Sequence, residues 1–264
     1  MNWLFQNFRH RARFALENPL YAFNSLCREL TLADERFLST ITNVDTSQIR
    51  GFVKEPVQND FFLACLQSLE AELRTLEVYS ADLYAKKILL QYAAVRAFQP
   101  SIVVETGVAN GISSAYLLLA IQANRRGTLY SIGLNDPQYL PAGKPLGWAV
   151  PQELRSPWKL LVGDSRTILP SLLNKIGSTD IFIHDSLHTY EHMLWEFRVA
   201  YPHLRPGGLL FSDDAKWNSA FSEFAIEVAS PRATILRGVG FLQKAQEYIP
   251  RGSEPVILEP GRGS

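Results

Sequence analysis

The chain has 264 residues, 47% hydrophobic and 20% charged, and its 26 basic and 26 acidic side chains cancel to a formal charge of zero. This is the composition of an ordinary globular protein long enough for a full core, and it excludes a disordered or fibrous chain. Zero net charge speaks against a broad phosphate-neutralising face, so nucleic acid is not an expected partner. Cys27 and Cys65 match no metal spacing and read as thiols of a reducing compartment. No apolar run reaches the ~20 residues of a transmembrane segment. The N-terminus also lacks a secretory signal, so a cytoplasmic location is expected.

Residues 1 to 100 read as helical. Phe5, Phe8, Phe14 and Leu16, interleaved with Arg9, Arg11 and Arg13, make a basic amphipathic start. It suits packing on the main domain, with a membrane surface as the alternative. Thr31 followed by Asp34 resembles a capping box. From Asn59, the residues Phe62, Leu66, Leu69, Leu73 and Leu76 recur at helical period. Ser80 is a cap for a second helix carrying Leu83, Ile88, Leu89, Tyr92 and Val95, which Pro100 stops.

The texture then changes. Short apolar runs at 101–105, 128–132, 158–162, 180–183 and 208–211 are mostly separated by helical patterns at 112–122, 166–175, 187–201 and 219–228. That alternation implies a parallel sheet covered on both faces. The runs 233–236 and 239–243 are parted only by Arg237 and Gly238, which suits an antiparallel hairpin. Between 133 and 157, Pro137, Pro141, Pro145, Pro151 and Pro157 exclude a continuous helix and predict an ordered loop covering a site.

Ligands of open α/β sheets bind beyond the carboxyl ends of the strands. The first strand delivers Glu105-Thr106-Gly107-Val108-Ala109-Asn110-Gly111-Ile112-Ser113, a turn that lets backbone approach a ligand before a helix N-terminus. Ala109 stands where a dinucleotide fingerprint has its second glycine, and a tight strand-to-helix turn needs glycine in any case. A more specific cluster follows. Asp185, Asp213 and Asp214 all emerge at strand ends around one crevice, and three neighbouring carboxylates favour a hard cation such as Mg²⁺. Helix capping is the plainer role for one or two of them. His188, three residues past Asp185, is placed to accept a proton at neutral pH, whereas His184 alternates away and reads as structural. His188-Thr189-Tyr190-Glu191-His192 also matches a zinc-hydrolase pattern, with Glu191 as base.

With these pieces in order, the chain resembles class I S-adenosylmethionine-dependent methyltransferases. It is most similar to bacterial O-methyltransferases of natural products and glycans, the macrocin and cephalosporin-cluster type. The resemblance covers residues 80–245 and rests on Glu105-x-Gly107-x-x-x-Gly111-x-Ser113, Gly163-Asp164-Ser165, Asp185-x-x-His188-x-Tyr190 and Leu204-Arg205-Pro206-Gly207-Gly208 before Asp213-Asp214. It implies a Rossmann-like α/β fold with a seven-stranded, mostly parallel sheet whose last strand is antiparallel, joined to an N-terminal helical extension. The division expected is an extension over 1–79 that caps the acceptor pocket, a methyltransferase domain over 80–250 and a tail over 251–264.

The resemblance further implies that Glu105, Gly107, Gly111 and Ser113 hold the methionine part of S-adenosylmethionine, while Asp164 and Ser165 face its adenine. Asp185, Asp213 and Asp214 would hold Mg²⁺ or another divalent cation, with His188 as catalytic base beside Asp185. The acid that family members use for the ribose is replaced by Gly133, and Asp136 or its neighbour Asn135 is the nearest substitute. The expected reaction is metal-assisted O-methylation of a small-molecule or sugar hydroxyl. A methyltransferase-like binding protein without turnover, and a zinc hydrolase, are the alternatives; self-association stays open.

Overall fold

The computed structural model describes residues 32–76 and 83–246. The amphipathic start, Thr31, Cys27, Ser80 and the 251–264 tail lie outside the described residues. Within them, the apolar runs become β1 (Ile102–Thr106), β2 (Thr128–Gly133), β3 (Trp158–Val162), β4 (Thr179–His184), β5 (Leu204–Ser212), β6 (Arg232–Leu236) and β7 (Val239–Gln243). They form one sheet in the order β3-β2-β1-β4-β5-β7-β6. Strands β1 to β5 pair in parallel, and β7 runs antiparallel to both β5 and β6. The expected fold is the one observed.

Eight α-helices belong to the described residues: α1 (Ala33–Thr42), α2 (Thr46–Gln58), α3 (Asp60–Thr75), α4 (Lys86–Phe98), α5 (Ile112–Asn124), α6 (Ser165–Ile176), α7 (Tyr190–Ala200) and α8 (Ala220–Glu227). The central strands are apolar on both sides because helices cover both faces: Val103, Val104, Ile181 and Phe182 are fully buried. At the β6–β7 turn, Arg237 (φ 52°) and Gly238 (φ 94°) both have positive φ, as a two-residue hairpin turn with the twist of its strands requires. At the start of α3, the Asn59 side chain accepts from Phe62 N at 2.9 Å.

Three elements differ from expectation. The strand expected over 208–211 starts earlier: Leu204-Arg205-Pro206-Gly207-Gly208 is the first half of β5. The register against β4 slips there, and Gly207 takes φ 75°, so the glycines serve a bulge. Helix α7 begins at Tyr190, leaving His188 in the loop instead of in a first helical turn. Helix α1 has no side-chain cap; Leu32 is its N-cap residue at φ 51°, and Asp34 instead pairs with Arg237 Nε at 2.8 Å.

Helices α1 to α3 share a core with the sheet. Leu38, Ile41, Ile49, Phe52 and Phe62 pack in the same apolar cluster as Val103, Ile181 and Phe241. The Phe62 ring meets Tyr116 of α5 edge-on, with centroids 4.8 Å apart. Residues 33–75 therefore should not melt separately from the sheet. Phe62→Ala should lower the stability of the whole described unit by about 3–5 kcal/mol. Urea denaturation followed by both tryptophan fluorescence and circular dichroism should give one coincident transition; two resolved transitions would show an independent extension.

Candidate active site

The strand order reverses between β1 and β4, so their carboxyl ends open the crevice where such sheets bind ligands. The ladders continue past the strand ends and hold the crevice loops rigid. Gly107 N donates to Ile132 O, Asp185 N to Thr106 O and Asp213 N to His184 O, each at 2.8 Å. Gly107, at φ 85°, is crossed so closely by the loop after β4 that a Cβ there would stand 1.8 Å from Asp185 O. Only glycine fits both that backbone conformation and that gap.

Glu105 is fully buried and accepts from Ser114 Oγ and Ser131 Oγ at 2.7 Å and from Ser113 Oγ at 3.1 Å. Burial raises its pKa against the opposing pull of those hydroxyls. Glu105 therefore fixes the start of α5 to β2 beneath the turn, with Ser113 as one of its anchors. Ala109 takes the left-handed conformation (φ 43°) usual for the glycine it replaces. The proline-rich loop secures it: Gly147 N donates to Ala109 O, Ala149 N to Asn110 O and Trp148 Nε1 to Asn110 Oδ1. That loop holds no continuous helix, as its prolines predict, and it lies directly on the glycine turn. Its Val150 Cγ2 would stand 2.8 Å from a Cβ at Gly111.

A second buried carboxylate, which the sequence reading missed, organises the other side of the crevice. Glu196 of α7 is fully buried and accepts from Thr106 Oγ1 (2.5 Å), His184 Nδ1 (2.7 Å), Ser186 Oγ (2.8 Å) and His192 Nε2 (2.9 Å). Burial would raise its pKa, but the bonds from His184 and His192 outweigh this and hold it well below the usual carboxylate range. Its periodicity is that of any helical acid, so only the fold reveals it. His184 is structural, as expected.

Above this network stand the strand-end acids. His188 Nε2 lies 3.6 Å from Asp185 Oδ1, and the exposed Trp217 ring stacks on the imidazole at 6.0 Å. Burial raises the Asp185 pKa, helped by the charge of Asp213 and opposed by His188 and Lys87. Burial works against the charged form of His188, but Asp185, Asp214 and Asp213 outweigh it and raise the imidazole pKa. Asp213 is taken by Lys87 of α4, whose Nζ reaches Oδ2 at 2.7 Å and Oδ1 at 3.0 Å. The expected divalent-cation set is therefore not assembled. Among the described residues no group of three or more His, Cys, Asp or Glu side chains is arranged to hold a metal. Both oxygens of Asp213 face the ammonium instead.

The remaining expected residues divide. Asp164 caps α6, accepting from Arg166 N at 2.8 Å, and buried Ser165 contacts His192 at 3.2 Å. Asp136 Oδ1 accepts from Gln138 N in its own turn. A Cβ at Gly133 would stand 3.2 Å from Leu146 Cδ2 and Val108 Cβ, so a side chain projecting there would require Leu146 to shift. Leu134 and Val162 beside it, at neighbouring strand ends, are exposed. The zinc pattern is not built. His188 precedes α7, His192 is buried against Glu196, and Glu191 points to solvent, so no shared helical face exists.

Comparison with known proteins bears on the segment that carries the crevice. Residues 104–215 match the family model described as a methyltransferase domain. The chain is 28% identical over 132 residues to demethylmacrocin O-methyltransferase of Streptomyces fradiae, a match covering 49% of this chain and 30% of that protein. It thus spans under a third of that curated relative. Among solved structures, the O-methyltransferase TomG from Streptomyces achromogenes, in complex with S-adenosylmethionine, superposes with a TM-score of 0.51 at 18% identity. That match covers 69% of this chain and 89% of TomG. The matched segment runs from β1 through the strand-end acids, and the likeness to the solved structure is one of fold.

The Glu196 network sets a pH response. A carboxylate whose folded pKa is depressed contributes stability above its unfolded value, here near 4.5, and loses it as pH falls below that value. The wild type should lose stability progressively in that acid range. Glu196→Gln should cost about 3–5 kcal/mol at neutral pH and flatten the acid limb. Urea midpoints measured from pH 7 to pH 3 check both.

Proposed function

We propose that this protein transfers a methyl group from S-adenosylmethionine to a hydroxyl of a small-molecule or sugar acceptor. The observation that carries this reading is the Asp185–His188 pair, set at the end of β4 and held against the glycine turn by the Gly107 crossing. The donor would lie over that turn, with Leu134 and Val162 offering apolar surface suited to its adenine. The acceptor oxygen forms its bond to the methyl carbon as the carbon–sulfur bond breaks, and that electron pair returns to sulfur. The hydroxyl proton passes to the His188–Asp185 pair. Holding both reactants in line provides much of the acceleration.

The rim of the crevice supports the acceptor class. Leu187, next to His188 in the chain, and Trp217, stacked on its ring, are exposed, with 52% and 72% of their surfaces open. An apolar, aromatic rim suits the C–H face of a sugar or a natural-product ring, whose hydroxyl then points at the pair.

Isothermal calorimetry with S-adenosylmethionine and S-adenosylhomocysteine tests the reading. Both should bind the folded protein. His188→Ala should reduce turnover about 10²–10⁴-fold while leaving cofactor affinity unchanged. Folded protein that binds neither molecule would overturn the assignment. Intact binding without turnover across hydroxyl acceptors would favour the binding-protein alternative.

A further inference from the structure

The acid cluster at the ends of β4 and β5 already contains a cation that belongs to the chain. Lys87 is separated from Asp213 by 126 positions, yet its Nζ sits between both carboxylate oxygens at 2.7 and 3.0 Å. The fields of Asp185 and Asp214 also reach it. Its place on α4 is otherwise unfavourable. Lys86 and Lys87 open the helix with no acid in the first turn, where the positive end of the dipole disfavours cations. Each is held by a carboxylate from elsewhere, Lys86 by Glu35 at 2.6 Å and Lys87 by Asp213. An ammonium has three donors. Two can serve Asp213, and with 34% of the Lys87 side chain still exposed, the third can face a ligand in the crevice.

We propose that the Lys87 ammonium is the resident cation of the Asp185–Asp213–Asp214 cluster and binds the acceptor oxygen there, so that this site works without a divalent ion. The geometry explains both halves. Asp213 turns both oxygens to Lys87, so a divalent ion would have to displace the ammonium or stand beside its charge. A hydroxyl drawn to the free donor of Lys87 would lie among the same acids that flank His188, within reach of the pair assigned to take its proton. Lysine is suited to this because it is a compact point charge on a long stem, able to cross from α4 to the end of β5. The role toward the acceptor rests on the methyl-transfer reading; the occupancy of the cluster does not.

Mn²⁺ alone, followed by the electron paramagnetic resonance of the free ion, tests occupancy without donor or acceptor. Purified wild-type protein should bind Mn²⁺ no more tightly than millimolar. Lys87→Met, which keeps the stem and removes the charge, should bind it at least about tenfold more tightly, because three carboxylates lose their internal counter-charge. Lys87→Gln serves as the second variant if Lys87→Met melts early. Micromolar Mn²⁺ binding by the wild type would overturn the proposal, as would folded Lys87 variants whose Mn²⁺ affinity stays within about threefold of wild type. Methyl transfer that survives exhaustive chelation supports it, and transfer abolished by chelation and restored by Mn²⁺ overturns it. Failure of the methyl-transfer reading would show separately, as absent S-adenosylmethionine binding, which the Mn²⁺ titration does not measure.

Discussion

The Glu196 carboxylate is the constraint on which the crevice depends. Placing an ionised acid out of contact with water is costly unless its lone pairs are occupied. Here Thr106, His184, Ser186 and His192 fill them, drawn from β1, β4, the loop after β4 and α7. None of these donors can move without exposing a partner to an unsatisfied charge. The loop carrying Asp185 and His188 is thereby fixed from below, while the backbone crossing at Gly107 fixes it from the side. A site built on such a base keeps its geometry before any ligand arrives, which is the condition for electrostatic preorganisation.

A matching arrangement stabilises the turn after β1. Glu105 binds three serines from α5 and β2, and the proline-rich loop clamps the outer side of the turn through Ala109 and Asn110. Two buried glutamates thus divide the labour: Glu105 shapes the turn proposed to hold the donor, and Glu196 shapes the loop that carries Asp185 and His188. The N-terminal helices complete the picture. Their apolar faces join the sheet core, Asp34 pairs with the β6–β7 turn, and α4 sends Lys87 into the acid cluster. The described helices before residue 79 therefore share the core of the sheet, while α4, beyond them, adds to the crevice wall.

Alternation of apolar runs with helical patterns was enough to read the sheet, its parallel character and the closing hairpin. Both follow from local periodicity and from the short Arg237-Gly238 connection, which permits nothing but an antiparallel return. The glycine turn, the strand-end acids and His188 were legible for a related reason: strand ends are where an α/β sheet exposes side chains to a ligand, so reading the strands locates the candidates. Boundaries were less legible. The glycines of 207–208 look like a turn in sequence but serve a bulge inside β5, because a register slip against β4 absorbs them.

What the sequence determined by itself was the fold class and the strand ends that open the crevice, since each depends on patterns within a few positions. What only the tertiary structure decided was how those residues are occupied. Glu196 looks like an ordinary helical acid until the fold surrounds it with four donors. Asp213 looks like a metal ligand until α4 brings Lys87 to it across 126 positions. Leu146, carried by the proline-rich loop, stands close against Gly133, where a ribose acid would project from β2. Charge partners and filled volumes are set by contacts between segments distant along the chain, and no local pattern encodes which segment will arrive.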